Sequence, residues 1–384
     1  MILWSEQGQD RSALWRSEAA QPPPKRVVCV DDTLGADAAY RMACEGTAML
    51  WRGDFQNARH LLQALMRRVD RKPRKPAKAV HAARSLTETF HLHRQAQGQR
   101  ARALSMLLIG LDADYSVPLR RAPDWRQACT EAWGPATGEP VVTSLRELLG
   151  LVGAHEWRKK GVEVAALGAP PHNRIHPHYG VFSPVRGEYV DLVAQAPWPP
   201  GLDPAKALAF DIGVGTGVLS AVLARRGVGR LVATDQDPRA LACAQDNLQR
   251  LGLSARVELQ AVDLFPAAQA DLIVCNPPWL PGRANAPIER AVYDEGSGML
   301  RGFLAGLRTH LTPDGEGWLI LSDLAEHLGL RSREELQGWI DAAGLRVCGR
   351  LDARPRHGKA YDASDALHAA RAAEVTSLWR LAAA

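Results

Sequence analysis

At 384 residues, with 46% hydrophobic residues and a formal net charge of +5, the chain is long enough for two hydrophobic cores and too apolar to be disordered as its main state. The six cysteines are scattered and form no C-x-x-C pair, which argues against a disulfide framework and fits reduced, buried thiols in a cytosolic setting. Residues 1–25 hold no apolar leader region and no run reaches the roughly 18 apolar residues of a membrane span, so the chain is expected to be neither secreted nor membrane-spanning.

Residues 1–26 are polar and end in Gln21-Pro-Pro-Pro-Lys25, which predicts a flexible leader. Residues 27–160 then predict a mainly α-helical, basic domain. Met42, Leu50, Leu61, Leu62 and Leu65 fall at near-helical spacing, broken at Gly53-Asp54, which gives two helices between about Ala36 and Val69. After Pro73 and Pro76 further helices are expected from Lys78 to about Gln97 and near Ala101–Leu111, Pro123–Trp133 and Ser144–Trp157.

Charge is unevenly placed. The first 200 residues carry 27 Lys and Arg against 20 Asp and Glu, the remainder 20 against 22. Much of the excess lies between Arg52 and Arg102 and includes Arg67, Arg68, Arg71, Lys72, Arg74, Lys75 and Lys78. Such a cluster either meets an acidic partner such as RNA, making this domain a substrate-recognition module, or is a solvated loop between helices.

Residues 161–200 read as a connecting segment, with a strand and turn at Tyr179–Pro184, a helix from Arg186 to Gln195, and a stop at Pro197-Trp-Pro-Pro200. From residue 201 to 384 the chain alternates as a doubly wound α/β sheet does. Strands are expected at Ala207–Ile212, Arg230–Thr234, Arg256–Gln260, Asp271–Cys275, Gly317–Leu321 and Leu345–Leu351. A last strand at Val375–Leu381 follows a long connection that permits antiparallel closure. The helices between them are Val218–Arg226, Pro238–Leu251, Met299–Leu311 and Glu334–Ala343.

Three pieces of this region carry chemistry. Asp211-Ile-Gly213-Val-Gly215-Thr-Gly217 follows a short apolar strand and opens a helix, where glycines let the chain turn tightly and a ligand approach the backbone. A dinucleotide-dependent oxidoreductase would space its glycines G-x-G-x-x-G, whereas here the third comes one place early. Asp235 ends the second strand, where a carboxylate can accept both hydroxyls of a ribose. Asp263, with Leu264, follows the third strand and should reach the same crevice, close enough to bond an adenine amino group.

The third piece is Asn276-Pro277-Pro278-Trp279, directly after the apolar strand ending at Cys275. An amino group conjugated to a ring or carbonyl is a poor nucleophile because its lone pair is delocalised. An Asn side-chain carbonyl and the Pro277 backbone carbonyl can accept its two hydrogens and turn the lone pair toward a donor. The prolines stiffen this acceptor pair and add no competing N–H, while Trp279 offers a flat face for a planar substrate. His172, His176 and His178 crowd together without Cys or Glu at metal-ligand spacing, so no metal is assigned and they border the substrate entrance or pack locally.

From about Tyr179 onward the chain resembles class I S-adenosylmethionine-dependent methyltransferases, with Asp211–Gly217 as the glycine-rich cofactor motif and Asn276–Trp279 as the Asn-Pro-Pro-aromatic motif. It is most similar to the release-factor glutamine-N5 methyltransferase (HemK-like) family, whose Pro-Arg-Pro-Glu-Thr-Glu segment is echoed by Ser183-Pro184-Val-Arg186-Gly-Glu188, and it resembles nucleic-acid adenine-N6 and cytosine-N4 methyltransferases too. The resemblance implies a Rossmann-like, seven-stranded methyltransferase domain over 201–384 that uses S-adenosyl-L-methionine. It further implies that Asp235 and Asp263 contact the cofactor's ribose and adenine and that Asn276 and Pro277 hold the target nitrogen of a protein or nucleic-acid substrate. Trp279 replaces the Tyr usual in the glutamine enzymes, and the region before the domain is longer than theirs. A non-catalytic RNA-binding module that keeps the fold is the competing reading outside enzymology, supported by the basic cluster alone.

Overall fold

The computed structural model describes residues 1–71, 85–284, 287–356, 362 and 365–384. Lys72, Arg74, Lys75 and Lys78, the Pro73 and Pro76 break and the start of the helix expected from Lys78 lie outside the described residues. The chain divides into two compact units, Met1–Glu156 and Trp157–Ala384. Among the described residues no helix is long and apolar enough to cross a membrane.

Among the described residues the first unit is a six-stranded mixed sheet with five helices. Its strands are β1 (Ile2–Glu6), β2 (Gln9–Trp15), β3 (Arg26–Val30), β4 (Thr47–Trp51), β5 (Leu107–Leu111) and β6 (Val141–Ser144), in the order β1-β2-β6-β5-β4-β3. The helices are α1 (Ala36–Cys44), α2 (Phe55–Val69), α3 (Leu86–Leu104), α4 (Arg126–Trp133) and α5 (Leu145–Lys160). The sheet corrects the expectation of a mainly helical domain, and β1 and β2 correct the expectation of a flexible leader. Ile2 and Ala13 are buried with Ala48, Leu50, Leu108 and Val142, so apolar residues at alternate positions pin an otherwise polar hairpin to the core. The break at Gly53-Asp54 is real: Asp54 caps α2 by accepting the Gln56 N–H, and Arg120 and Arg121 hold its carboxyl near 2.

In the second unit β7 (Val162–Glu163) pairs antiparallel with β8 (Arg174–Ile175). No strand forms at Tyr179–Pro184, where the chain turns instead. Then follow α6 (Glu188–Gln195), β9 (Leu208–Ile212), α7 (Val218–Arg225), β10 (Arg230–Thr234), α8 (Pro238–Arg250), β11 (Val257–Gln260) and β12 (Ala270–Cys275). After the short β13 (Leu280–Pro281) and β14 (Tyr293–Asp294) come α9 (Gly298–His310), β15 (Leu311–Ser322), α10 (Leu324–His327), α11 (Arg333–Ala342), β16 (Leu345–Ala353), α12 (His368–Ala373) and β17 (Thr376–Ala383).

The main sheet runs β11-β10-β9-β12-β15-β17-β16, with β17 antiparallel to both its neighbours and the other neighbouring pairs parallel. This is the doubly wound α/β sheet that the alternating pattern predicts, in the seven-stranded, Rossmann-like form that the resemblance implies. Alternate side chains of β12 serve opposite layers: Leu272 and Val274 pack with α6, α7 and α8, whereas Ile273 and Cys275 pack with α9 and α11. A strand buried on both faces needs a continuous apolar run, as Leu-Ile-Val-Cys is.

The Pro-rich joint after α6 is fastened by Arg226. Its guanidinium donates to the Val193 and Ala196 carbonyls, both at 2.6 Å, and lies 3.8 Å above the ring of Trp198, which stacks on buried Trp318. A cation thus answers the free carbonyls at the C-terminus of α6. Arg226→Met should cost about 3 kcal/mol and lower the Tm of this unit by roughly 10 °C; an unchanged Tm by calorimetry would refute that role.

Candidate functional site

Parallel strands β10, β9 and β12 end in register. Thr234 stands opposite Ile212, and Cys275 stands opposite Ile212 on the other side. The next residues are Asp235, Gly213 and Asn276, so the three meet at the carboxyl edge of adjacent strands, about 5 Å apart from strand to strand. The sequence-predicted residues therefore share one edge.

The glycine turn is built for backbone exposure. Gly213, Gly215 and Gly217 have φ of +77°, +51° and +78°, a region other residues enter only at a cost. The Gly213 and Val214 N–H groups both donate to the Thr234 carbonyl (2.9 and 2.8 Å), tying the turn to β10. A Cβ on Gly217 would lie 3.2 Å from Ala244 Cα, so that glycine lets α7 approach α8. A Cβ on Gly215 would meet nothing closer than the Gly213 carbonyl at 4.0 Å, so the second glycine opens toward free space.

The acidic residues divide by environment. Asp235 is half-buried and accepts the Gly215 N–H at 3.1 Å and the Asp237 N–H at 2.9 Å, one on each carboxylate oxygen, which leaves lone pairs on both. Burial raises its pKa above the usual carboxylate range. Asp263 is exposed and bonds the side-chain amide of Gln236, which follows Asp235; the two carboxylates thus flank one crevice. Leu264 adopts φ +59°, and its carbonyl accepts the buried Thr234 hydroxyl at 2.6 Å, which fixes the loop after β11 against β10. Asp211 is placed differently from the others. Only 1% exposed, it accepts the backbone N–H and hydroxyl of Ser220 (2.9 and 2.6 Å) in the first turn of α7. It anchors the turn from beneath, with its pKa pushed up to about 7 by burial.

At Asn276 the structure adds what the sequence does not reveal. The Trp279 indole N–H donates to Asn276 Oδ1 at 2.9 Å, so one lone pair of the side-chain carbonyl is taken and one remains. Trp279 itself packs against both layers of the sheet, Pro277 is buried and Pro278 half-buried. The chain beyond folds back as parallel β13 and β14. Asp294, at the end of β14, accepts the Met299 and Leu300 N–H groups (2.9 and 3.3 Å) at the start of α9. This draws Met299 onto the glycine turn: a Cβ on Gly213 would fall 2.7 Å from Met299 Cε. Sequence reasoning gives Asp294 no role, although an Asp just ahead of a helix is an available capping signal.

Two of the three histidines pack locally against α8, where the His176 N–H donates to Asn247 Oδ1 at 2.7 Å and His178 Nε2 lies 2.9 Å from Asp246, while His172 is exposed. Arg186, in the segment that echoes the glutamine enzymes, reaches the buried carboxylate of Glu374 at 3.6 Å.

Comparison with known proteins matches residues 173–332 to the methyltransferase small domain. The chain is 30% identical over 178 residues to the tRNA1(Val) (adenine(37)-N6)-methyltransferase of Shewanella halifaxensis, covering 44% of this chain and 69% of that one. The chain belongs to the methyltransferase small-domain family. It is also 34% identical over 167 residues to the release factor glutamine methyltransferase of Cereibacter sphaeroides, covering 39% of this chain and 58% of the relative. To the ribosomal protein L11 methyltransferase of Serratia proteamaculans it is 34% identical over 151 residues, 39% of this chain and 48% of the relative. The chain thus spans only about half the length of some of the relatives it matches. The matched small-domain segment holds both the glycine turn and Asn276–Trp279.

Because the folded-state pKa of Asp211 lies above its unfolded value, the fold favours the neutral acid. That preference is fully present at acid pH and is lost as pH rises through about 7. Asp211→Asn keeps an acceptor for Ser220 but cannot titrate, so wild-type stability should fall relative to the variant by about 1.4 kcal/mol per pH unit across the window below 7. Parallel stability–pH curves in chemical denaturation would contradict this.

Proposed function

We propose that the protein is an S-adenosylmethionine-dependent N-methyltransferase acting on a planar amide or amino nitrogen. The observation that carries the reading is the register of β10, β9 and β12, which sets Asp235, the glycine turn and Asn276 on one edge. The residues fit the cofactor: the open side of Gly215 leaves room that a Cβ would fill, Asp235 keeps lone pairs for ribose hydroxyls, and exposed Asp263, bonded to the Gln236 that follows Asp235, offers an acceptor for an adenine amino group. Asp211, buried beneath the turn, serves the site by holding Ser220 at the start of α7. When bound, S-adenosylmethionine supplies an electrophilic methyl group on its sulfonium.

The protein's own part is positioning and charge arrangement. The free lone pair of Asn276 Oδ1 and the Pro277 carbonyl accept the two hydrogens of the target nitrogen and point its lone pair at the donor. Trp279 both stacks on the planar acceptor and, through its indole N–H, fixes which way the Asn276 amide faces. No covalent enzyme intermediate and no metal is needed.

The first substrate reading is a protein glutamine N5, supported by the Cereibacter relative and by the segment around Arg186. Adenine-N6 of RNA is the second, favoured by the better coverage of the Shewanella relative and by a Trp at a stacking position. Incubation with labelled cofactor and cell extract separates the two: label released by protease supports the first, label released by nuclease the second, and absence of transfer overturns both. Asn276→Ala should abolish turnover with S-adenosylhomocysteine affinity nearly intact. Asp235→Ala should weaken that affinity by about tenfold in calorimetry. Trp279→Phe keeps a stacking ring but removes the donor to Asn276, so kcat should fall about fivefold with little change in KM; equal loss in both would point to stacking alone.

A further inference from the structure

Arg331 is 3% exposed, and its Nε, Nη1 and Nη2 all lack a hydrogen-bond partner among the described residues. A guanidinium carries five N–H donors, cannot shed its charge, and is costly to bury unpaired. Buried arginines normally meet a carboxylate, so the carboxylates around this one matter.

Three lie in its field, and each is engaged elsewhere. Glu326 binds Arg333 Nε through both oxygens at 2.9 Å. Glu335 accepts the Ser332 N–H at 2.7 Å as half of the capping box of α11. Asp294 accepts the two N–H groups at the start of α9. The fold surrounds Arg331 with acids yet spends each of them on another donor, leaving a fork-shaped cation open.

Its place in the fold says which part of the sheet edge lies near it. Arg331 follows β15 and α10, at the carboxyl edge of the strand next to β12 (Cys275 opposite Leu319). Helix α10 packs against β13, which begins directly after Trp279, and Asp294 belongs to the strand paired with β13. This is the side of the edge that holds Asn276–Trp279, with β12 and β9 between it and Asp235. Next to it, Ser332 begins α11, whose N-terminal end adds a partial positive charge.

We propose that the Arg331 guanidinium binds an oxyanion, a carboxylate or phosphate borne by the methyl acceptor, and so fixes the acceptor at a second point besides Asn276. The anion group rests on the methyltransferase reading for its role in the acceptor, though not for its binding. A bidentate contact satisfies the buried donors that the protein leaves bare. Two fixed points orient a planar nitrogen better than one, because a single acceptor pair leaves the substrate free to swing about it.

The test uses the full chain in thermal-shift titrations with inorganic phosphate and, separately, acetate, at ionic strength matched with chloride, each with and without S-adenosylhomocysteine. The wild type should gain Tm saturably with one of the two anions, and the one that acts identifies the partner group. Arg331→Met should raise the ligand-free Tm, since an unpaired buried charge is gone, and weaken the anion response by at least about tenfold. Arg331→Lys, which keeps the charge and the fold but loses the fork, should fall between them. No saturable response in the wild type, or an equal response in Arg331→Met and Arg331→Lys, overturns the proposal. The S-adenosylhomocysteine shift should be the same in all three proteins. If it is absent throughout while the anion response stands, the methyltransferase reading fails and the anion site survives.

Discussion

The site depends on one constraint: three parallel strands that stop at the same level. Backbone hydrogen bonds between β10, β9 and β12 set their register, and a slip of one residue would turn every side chain of the slipped strand to the opposite layer. Since both layers are filled with Leu, Ile, Val and Phe, hydrophobic packing enforces the level at which the strands end. The polar residues at the ends inherit that precision without contributing to it. Asp235, Gly213 and Asn276 need only be the next residue in each strand to stand side by side.

Sequence periodicity reveals this part of the molecule well for the same reason. Strands buried on both faces leave continuous apolar runs such as Leu272–Cys275, and helices between them carry Asp237-Pro238 or Ser332 with Glu335 at their starts. The first unit is less legible. Thr47–Trp51 is apolar and follows α1 closely, so five residues of strand read as one more helical turn; Leu107–Leu111 after α3 does the same. β1 and β2 present mostly polar or exposed residues on one face, and their alternation, Ile2 and Ala13 inward, is too sparse to stand out against a polar terminus. What separates the halves is where the apolar residues lie, not how many there are.

Within the site, residue types were legible and their partners were not. The Asn-Pro-Pro-Trp run marks a stiff acceptor pair, yet nothing in its spacing says that the tryptophan would donate to the asparagine across three residues. Asp211 precedes the first glycine and looks like a ligand by position; only its burial, with Ser220 turned onto it, shows that it supports the loop. Arg331 lies in a stretch of ordinary surface-like composition, Arg-Ser-Arg-Glu-Glu, and the difference between it and Arg333 is wholly tertiary, since Arg333 finds Glu326 and Arg331 finds nothing.

These charges also explain why the edge can work as a cleft. An ionised group is stable in a low-dielectric setting only when matched, and the molecule matches its groups unequally. Asp54 in the first unit is satisfied by two arginines and stays strongly acidic, as a purely structural carboxylate does. Asp235 is held by backbone N–H groups, too few to offset burial, and so it retains a preference for further donors. Arg331 has no side-chain hydrogen-bond partner among the described residues. Asp235 and Arg331, each short of partners among the described residues, both lie toward the carboxyl edge of one sheet, on either side of the glycine turn and Asn276, which is the edge where α/β sheets bind their ligands.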